Sequence, residues 1–298
     1  LRAGAELVDM EFVQFFPIGH LAPRMVGMDP IMWDPFRYKL GGRLLNGNFD
    51  EFIHNYGGSD EGVYTARRDL ASYAIYKEKE AGRASPHGGA WLSFEHIPQE
   101  TLKDSFGPVI GKLAKNNIDL TKQAIEVAPI AHYHMGGIKV DEEMATCVPG
   151  LFGAGEAVGG ANGATRLSGN AITEAFVFGE RAGKFAAAAA KGARRGAVEE
   201  KDANALVEEV RDHLKSNIDA SGGAAFILEE LQGVMEDHIG LIRDGKNMRL
   251  GLDRIRNMIT NDLCQINVSD KGPFNQSMQD WLELRNGLQC AEAVALAA

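Results

Sequence analysis

Two arginines and two histidines carry the chemistry that residue type and spacing suggest in this sequence. Arg166 stands in a glycine-rich segment, 160–170, just before a helical pattern. An arginine presented there can hold a carboxylate through two parallel hydrogen bonds, which lysine cannot imitate. A surface arginine paired with solvent or an acid is the alternative, and the flanking glycines favour ligand binding over it.

The histidines His132 and His134 lie two positions apart in the segment 131–137. In a strand they would share a face. A metal site would need further ligands, and no nearby His, Cys or carboxylate spacing supplies them, so no metal is expected. A structural histidine and an imidazole that donates a hydrogen bond to a substrate both stay open.

A further cationic patch, Arg67-Arg68-Asp69, falls at the start of a helical pattern over 65–81. The aspartate favours a helix N-terminus and could orient an arginine. From this pattern alone, a solvated helix end is the stronger interpretation.

Common nucleotide and hydrolase motifs are absent from the sequence: it has no GxGxxG, P-loop, GxSxG or HExxH. The chain carries 31 Lys and Arg against 41 Asp and Glu, for a formal charge of −10. An acidic chain without a basic run argues against a nucleic-acid partner.

Cysteine use and hydropathy predict the compartment. The three cysteines are far apart and follow no metal or disulfide spacing, which is typical of a reducing, intracellular location. No run reaches the roughly 18 apolar residues of a membrane span, so no transmembrane segment is expected in the chain. The start at Leu1 and the uncapped helical pattern at the end suggest that both ends interrupt a longer protein.

Composition divides the chain into regions that would position these side chains. Residues 128–183 alternate short apolar runs with glycine turns and then become helical, which indicates strand, turn and helix. Residues 17–127 mix charges, aromatics and prolines, as in an inserted α+β domain. Beyond 190, apolar stripes containing Phe226, Leu231, Trp281 and Leu288 predict a helical bundle.

Four sequence blocks in order then resemble one family. They are 10–19 (MEFVQFFPIG), 131–138 (AHYHMGGI), 148–156 (VPGLFGAGE) and 163–170 (GATRLSGN), the last followed by 174–183 (EAFVFGERAG). These blocks are similar to the flavoprotein family of succinate dehydrogenase, fumarate reductase and L-aspartate oxidase. The resemblance covers almost the whole chain.

The resemblance implies an α/β fold with an α+β cap. A partial FAD-binding Rossmann-like domain would comprise a strand segment, 1–16, and a second part, 128–190. The capping domain would span 17–127 and the helical domain 191–298. FAD is the implied cofactor, with the fingerprint half of its site upstream of this chain.

The resemblance also assigns roles to residues. Arg68 corresponds to the arginine that delivers a proton, and His132 and Arg166 to residues that hold a substrate carboxylate. The positions expected to approach FAD are Gly155, Glu156, Ser168, Asn170, Ala171 and Ile172. The implied reaction is hydride transfer between FAD and a saturated or unsaturated carboxylic acid, with the cations stabilising the charge that develops on the carboxylate.

Departures from the family pattern bear on the substrate. Phe16 stands where members acting on fumarate or succinate have His, and Ile18 where they have Thr. The stretch 33–40 (WDPFRYKL) also lacks a Thr-Glu pair. These changes remove polar partners for a second carboxylate, and a buried carboxylate without partners is costly. We therefore expect an acid whose far end is less polar than that of fumarate.

Several alternatives remain within and beyond this family. An iron–sulfur partner subunit is expected for a fumarate-reductase-like complex, as is a cytoplasmic location, peripheral to the inner membrane through partners. An L-aspartate-oxidase-like enzyme would work alone. An adenylylsulfate-reductase-like enzyme would need more cations near the flavin, and Arg37, Lys39 and Arg43 are candidates. A flavin-free segment that acts only in assembly is the alternative of a different class.

Overall fold

The chain forms two compact units in a computed structural model, which describes residues 1–27, 31–33, 40–57, 67–193, 199–214, 223–266, 268 and 274–298. One unit, the cap unit, is Gln14–Tyr133. The other, the flavin-domain unit, joins Leu1–Val13 to His134–Ala298. Helices and strands are both present, as the predicted mixed fold class requires. The four segment boundaries that the family resemblance implies, 1–16, 17–127, 128–190 and 191–298, remain predictions.

The cap unit is built on a four-stranded sheet. Its strands are β2 (Val13–Ala22), β5 (Ile125–His134), β4 (Ala90–Ser93) and β3 (Arg43–Leu45), in that order across the sheet. β3 and β4 run antiparallel, with Leu44 opposite Leu92. β4 and β5 also run antiparallel, with Trp91 opposite Glu126.

Three helices complete the described part of the cap unit: α1 (Arg68–Glu80), α2 (Gln99–Phe106) and α3 (Pro108–Lys115). α1 agrees with the helix predicted over 65–81, of which residues 65 and 66 lie outside the described residues. The helices and strands share one apolar core, in which Trp33, Phe94 and Phe106 pack edge to face or tilted. Such ring pairs contribute about 0.5–1.5 kcal/mol beyond the area that they bury.

A buried carboxylate, Glu78, ties α1 to its neighbours. It accepts hydrogen bonds from Arg83 Nε at 2.7 Å, Tyr56 Oη at 2.6 Å and Asn46 Nδ2 at 3.0 Å. These donors, led by Arg83, lower the pKa of Glu78 to about 2. The residue is 1% exposed, and this set of partners compensates for the lost hydration of its carboxylate.

The flavin-domain unit begins with a close backbone crossing. β1 (Leu7–Val8) pairs antiparallel with β6 (Gly137–Ile138), and Ile138 forms a parallel bridge to Val158. A Cβ on Gly137 would lie 2.5 Å from the Ala157 carbonyl oxygen, so only glycine fits there. Part of the glycine richness of 128–183 therefore serves tight packing.

The remaining helices of this unit are α4 (Asn170–Gly192), α5 (Glu200–Leu214), α6 (Gly223–Ile239), α7 (Gly245–Asn257) and α8 (Gln276–Ala297). α6, α7 and α8 pack on one another as the predicted bundle. Leu231, Trp281 and Leu288 are buried in its core, as their spacing predicts. Phe226 differs: it is on the same predicted stripe but is 58% exposed. Ala224 and Leu231 mark the face of α6 that packs in the core, and Phe226, two positions after Ala224, lies about 200° around the helix from it.

Side chains also cap this bundle. Asp244 accepts hydrogen bonds from the amides of Lys246 and Asn247 at 3.0 Å and thereby starts α7. Arg243 donates from Nε to the carbonyl oxygens of Ile239 and Gly240, and from Nη1 to that of Glu11. This arginine therefore joins the end of α6 to the segment before β2. Within the described ranges, no helix is long and apolar enough to cross a membrane.

Candidate functional site

Arg68 and His132 both contact one aromatic ring in the cap unit. The guanidinium carbon of Arg68 lies 5.1 Å from the centroid of the Phe16 ring. The centroid of the His132 ring lies 5.1 Å from the same point, with the two rings tilted by 55°. The structure thus brings together two of the three predicted catalytic residues against a phenylalanine.

The local fold explains this cluster. Phe16 and His132 are on β2 and β5, which are neighbours in the sheet, and Arg68 is the first residue of α1. Phe16 is 3% exposed and Ile18 is fully buried. Ile18 is part of the apolar core of the cap unit, whereas Phe16 is the β2 residue that contacts Arg68 and His132, so this side of the cluster is apolar.

The contact of Phe16 with both polar residues could not be predicted from the sequence. Its hydrophobicity alone is typical of any core position, and Arg68 follows it 52 positions later. Side chains alternate between the two faces of a strand, so the sequence predicts that Phe16 and Ile18 share a face. It does not predict that β5, which carries His132, is the strand next to β2. The family resemblance already implies a place for Phe16 at the substrate, and the pairing of β2 with β5 puts it next to His132.

Arg166 belongs to the flavin-domain unit, and it is buried at 7% exposure. Nη1 donates to the carbonyl oxygen of Leu167 at 3.1 Å. The sequence predicts a cation on a glycine-rich loop before a helix, with a solvent-paired surface arginine as the alternative. Arg166 is buried, unlike such a surface arginine, while the next residue, Leu167, is 76% exposed; carboxylate binding by Arg166 stays a prediction.

The residues predicted to approach FAD gather at the start of α4. Gly155 and Glu156 are in the short 3-10 turn Gly155–Ala157, which packs against α4. Gly155 has φ +71°, a left-handed conformation that favours glycine, whereas a Cβ there would be at an ordinary contact distance of 3.8 Å from the Ala175 Cα.

The first turn of α4 holds the other members of this set. Gly169, at φ +91°, precedes the helix, and no side chain caps it. Ser168, Asn170 and Ile172 are exposed, and Ala171 is half-buried. The amides of Asn170 and Ile172 donate within this turn, to the carbonyl oxygens of Leu167 and Gly169, so it is the positive end of the helix dipole that suits polar or anionic ligand atoms here.

Glu156 and His134 are directly connected. The main-chain N–H of His134 donates to Glu156 Oε1 at 3.0 Å. The ring of His134 forms a second contact, from Nδ1 to the Gly136 carbonyl oxygen at 2.8 Å. Over the described ranges, no group of three or more His, Cys, Asp or Glu side chains is arranged to hold a metal ion.

The cations considered for an adenylylsulfate-type site are only partly described. Arg37 and Lys39, with the rest of 34–39, lie outside the described residues. Arg43 is at the edge strand β3, where its Nε lies 3.5 Å from Glu51 Oε1.

Family models match both parts of the chain. A model described as "FAD binding domain" matches residues 1–172, and one described as "Fumarate reductase flavoprotein C-term" matches 228–298. Among curated relatives, one subunit of the fumarate reductase (CoM/CoB) of Methanothermobacter marburgensis is 34% identical over 298 residues, which is 100% of this chain and 52% of the relative. The fumarate reductase flavoprotein subunit of Escherichia coli is 32% identical, over 100% of this chain and 51% of the relative.

Solved structures agree with these matches. Mycobacterium smegmatis Sdh1 in complex with UQ1 superimposes with a TM-score of 0.83 at 31% identity, over 100% of this chain and 49% of that one. A quinol-fumarate reductase with menaquinol molecules superimposes with a TM-score of 0.84 at 30% identity, over 98% of this chain and 52% of that one. Adenylylsulfate reductase from Archaeoglobus fulgidus, at 0.66 and 19% identity, shares the fold.

The chain spans about half the length of the curated relatives that it matches. Within that span, the match to the FAD-binding model comes first and the match to the C-terminal flavoprotein model follows it. The chain therefore belongs to the FAD-binding flavoprotein family of fumarate reductases and succinate dehydrogenases.

Proposed function

We propose that the full-length protein containing this chain is an FAD-dependent oxidoreductase that acts on the CH–CH bond of a carboxylic acid. The observation that carries this proposal is the placement of Arg68 and His132 against Phe16 in the cap unit. A proton donor and a hydrogen-bond donor on one apolar wall suit a substrate with one charged end and one reacting double bond.

Arg68 is the proposed proton donor. Arginine is a poor acid in water because its pKa exceeds about 12. Proton transfer from it requires a carbanion-like centre in a site from which water is excluded. Phe16 supplies part of that dry surface, since its buried ring lies within cation–π distance of the guanidinium.

His132 and Arg166 are the proposed carboxylate ligands. An imidazole N–H can donate one hydrogen bond to a carboxylate oxygen, and a guanidinium can donate two in parallel. Both stabilise negative charge that moves onto the carboxylate during reaction. To donate from Nη1 to a substrate oxygen, Arg166 would exchange its bond to the Leu167 carbonyl oxygen for one to the carboxylate.

The residues at the start of α4 fit FAD. Its proposed ligands are Gly155, Glu156, Ser168, Asn170, Ala171 and Ile172. The exposed carboxylate of Glu156 can accept hydrogen bonds from ribose hydroxyls, and the positive end of the α4 dipole favours polar flavin atoms. When bound, FAD would supply hydride transfer to or from carbon.

The proposed substrate is an acid whose far end is apolar or uncharged, rather than fumarate itself. Phe16 and Ile18 are both buried on β2, and their side chains offer no hydrogen bond to a second carboxylate. Leaving a charged group without a partner in such a site would cost several kcal/mol. The relatives carry the name fumarate reductase, so fumarate is the reference substrate for the test.

The proposed partner is an iron–sulfur protein subunit, which would exchange electrons with the flavin. Two relatives are named as subunits, which supports the proposal that this protein is also one subunit of a complex. The proposed location is the cytoplasm, peripheral to the inner membrane through such partners. An L-aspartate-oxidase-like enzyme that works alone is the other possibility inside the family.

The substrate proposal is tested by steady-state kinetics of the full-length protein with an artificial electron donor. Fumarate is compared with an enoic acid that has a methyl group at the far end and with a fumarate monoester. We expect a higher kcat/KM for the last two. A higher kcat/KM for fumarate than for both would refute the apolar-end proposal while leaving the flavoprotein proposal intact.

A second candidate function is assembly without flavin. No residue of α4 is buried, and Ile172, Phe176 and Val177 are 66%, 75% and 54% exposed. Exposed apolar side chains in such a row mark a surface that binds protein. Purified full-length protein without flavin, in a stable complex with another subunit, would favour this function over catalysis.

A further inference from the structure

His134 forms two hydrogen bonds that fix its ring. Nδ1 lies 2.8 Å from the Gly136 carbonyl oxygen, and a carbonyl oxygen can only accept, so Nδ1 carries the proton. The main-chain N–H of His134 donates to Glu156 Oε1. In the neutral ring, Nε2 therefore has a free lone pair and is a hydrogen-bond acceptor.

The carbonyl that orients this ring is itself held rigidly. A Cβ on Gly136 would overlap the carbonyl of Asp9 and would lie 2.7 Å from the Met10 Cα. The backbone at Gly136 is thus packed directly on the backbone of 9–10. The direction of the His134 ring is set by this crossing, not by a flexible loop.

Nε2 of His134 is buried and has no hydrogen-bond partner anywhere in the part of the chain that the structure describes. Buried side-chain polar atoms are rarely left in this state, since an unsatisfied one costs about 1–3 kcal/mol. The catalytic roles assigned to His132, Arg68 and Arg166 do not use this nitrogen. A ligand or water hydroxyl that reaches this nitrogen, with a small shift of the atoms that cover it, would therefore stabilise the structure.

We infer that His134 is a further FAD-binding residue, whose Nε2 accepts a hydrogen bond from a hydroxyl of the cofactor. This inference rests on the proposed function. Its support is the unpartnered Nε2 together with the position of the residue, whose amide donates to Glu156, the carboxylate proposed to meet the ribose. FAD is rich in ribityl and ribose hydroxyls, and each can donate to a fixed imidazole lone pair.

Two substitutions of His134 separate the contribution of Nδ1 from that of Nε2. Asn in place of His134 keeps a donor near the position of Nδ1, for the Gly136 carbonyl, and removes Nε2. Gln in place of His134 extends far enough to restore an acceptor near Nε2. His87→Asn is the matched control, because His87 is an exposed side chain of the cap unit, paired with Glu126.

The experiment uses the full-length protein, stripped of flavin and titrated with FAD while protein fluorescence is followed. His134→Asn is expected to weaken FAD binding by about tenfold, the effect of one lost hydrogen bond to a buried group. His134→Gln and His87→Asn are expected to bind FAD within about threefold of wild type. The melting temperature of flavin-free His134→Asn should match wild type, because Nε2 has no partner without FAD.

Unchanged FAD affinity in His134→Asn would overturn the inference and assign Nε2 to a trapped water. An equal drop in the melting temperature of the flavin-free and FAD-loaded variant would also overturn it, because the residue would then be structural. Wild-type protein that binds no FAD would refute the proposed function itself. The affinity of the unmodified protein therefore distinguishes the two failures.

Discussion

The guanidinium carbon of Arg68 lies 5.1 Å from the centroid of the Phe16 ring, in the position of a cation–π contact. Such contacts contribute about 0.5–2 kcal/mol, with the larger values where water is excluded. Phe16 is 3% exposed, so its face toward Arg68 is largely dry. The ring both holds the proposed proton donor and limits what the site can bind.

Arg68→Gln should reduce turnover by at least about a thousandfold and leave bound flavin unchanged, because it removes the acid and keeps a polar side chain. Single-turnover reduction of substrate and the flavin-to-protein ratio would be measured together. Arg67→Gln is the matched control: Arg67 is the preceding residue, its side chain is 85% exposed, and it pairs with Asp69. Loss of flavin in Arg68→Gln would instead identify Arg68 as structural.

Phe16→His should shift preference toward fumarate, because it places a hydrogen-bond donor on the apolar wall that Phe16 shares with Ile18. We expect the ratio of kcat/KM for fumarate to that for a fumarate monoester to rise by about tenfold, equivalent to one hydrogen bond to a charged group. Phe16→Leu controls for loss of the aromatic ring. An unchanged ratio in Phe16→His would show that the far end of the substrate lies elsewhere.

Arg166→Lys should raise KM for the acid substrate by about tenfold or more, since lysine cannot form two parallel hydrogen bonds to one carboxylate. The flavin content should stay at the wild-type level. Arg256→Lys provides the control, as Arg256 pairs with Glu292 in the helical bundle. Equal KM values in Arg166→Lys and wild type would remove Arg166 from the substrate site and leave it as a buried structural cation.

The stability of the cap unit should fall as the pH falls, through Glu78. The folded-state pKa of about 2 is below the usual 4.5, so the carboxylate stabilises the fold above pH 4.5 and loses this effect as the pH falls toward 2. The shift corresponds to roughly 3 kcal/mol at 1.36 kcal/mol per pKa unit. Urea unfolding at several pH values measures it.

Glu78→Gln is the variant for this test, because it keeps the shape and removes the titration. It should be less stable than wild type at neutral pH and should lose less stability between pH 4.5 and 2. Lys77, whose side chain pairs with Glu80, gives the control as Lys77→Gln. Parallel pH profiles of Glu78→Gln and wild type would contradict the assigned role of this carboxylate.

Local patterns predict much of the fold. Apolar spacing places Leu231, Trp281 and Leu288 in the bundle core, and the start of α1 follows from Asp69 and the apolar positions after it. These are properties of single helices, which a periodicity of 3.6 residues encodes. The prediction that Phe226 is on the core stripe is wrong, because the face of α6 that packs in the core is the one that carries Ala224 and Leu231.

The site is less local, and the sequence predicts it less completely. The motif blocks identify His132 and Arg166, and the family resemblance adds Arg68, but the contact of Phe16 with His132 and Arg68 depends on the fold around β2 and β5. The burial of Arg166 and the unsatisfied Nε2 of His134 depend on side-chain packing. Neither is encoded by spacing along the chain.

The most direct test of the central claim is the visible absorption spectrum of the purified full-length protein. The spectrum is recorded for the oxidised protein, after reduction without oxygen, and after addition of each candidate carboxylic-acid substrate. The account predicts a flavin band that bleaches on reduction and returns on addition of an enoic acid with an apolar far end, faster than with fumarate. A protein without a flavin band, or a reduced flavin that none of these acids reoxidises, would contradict it.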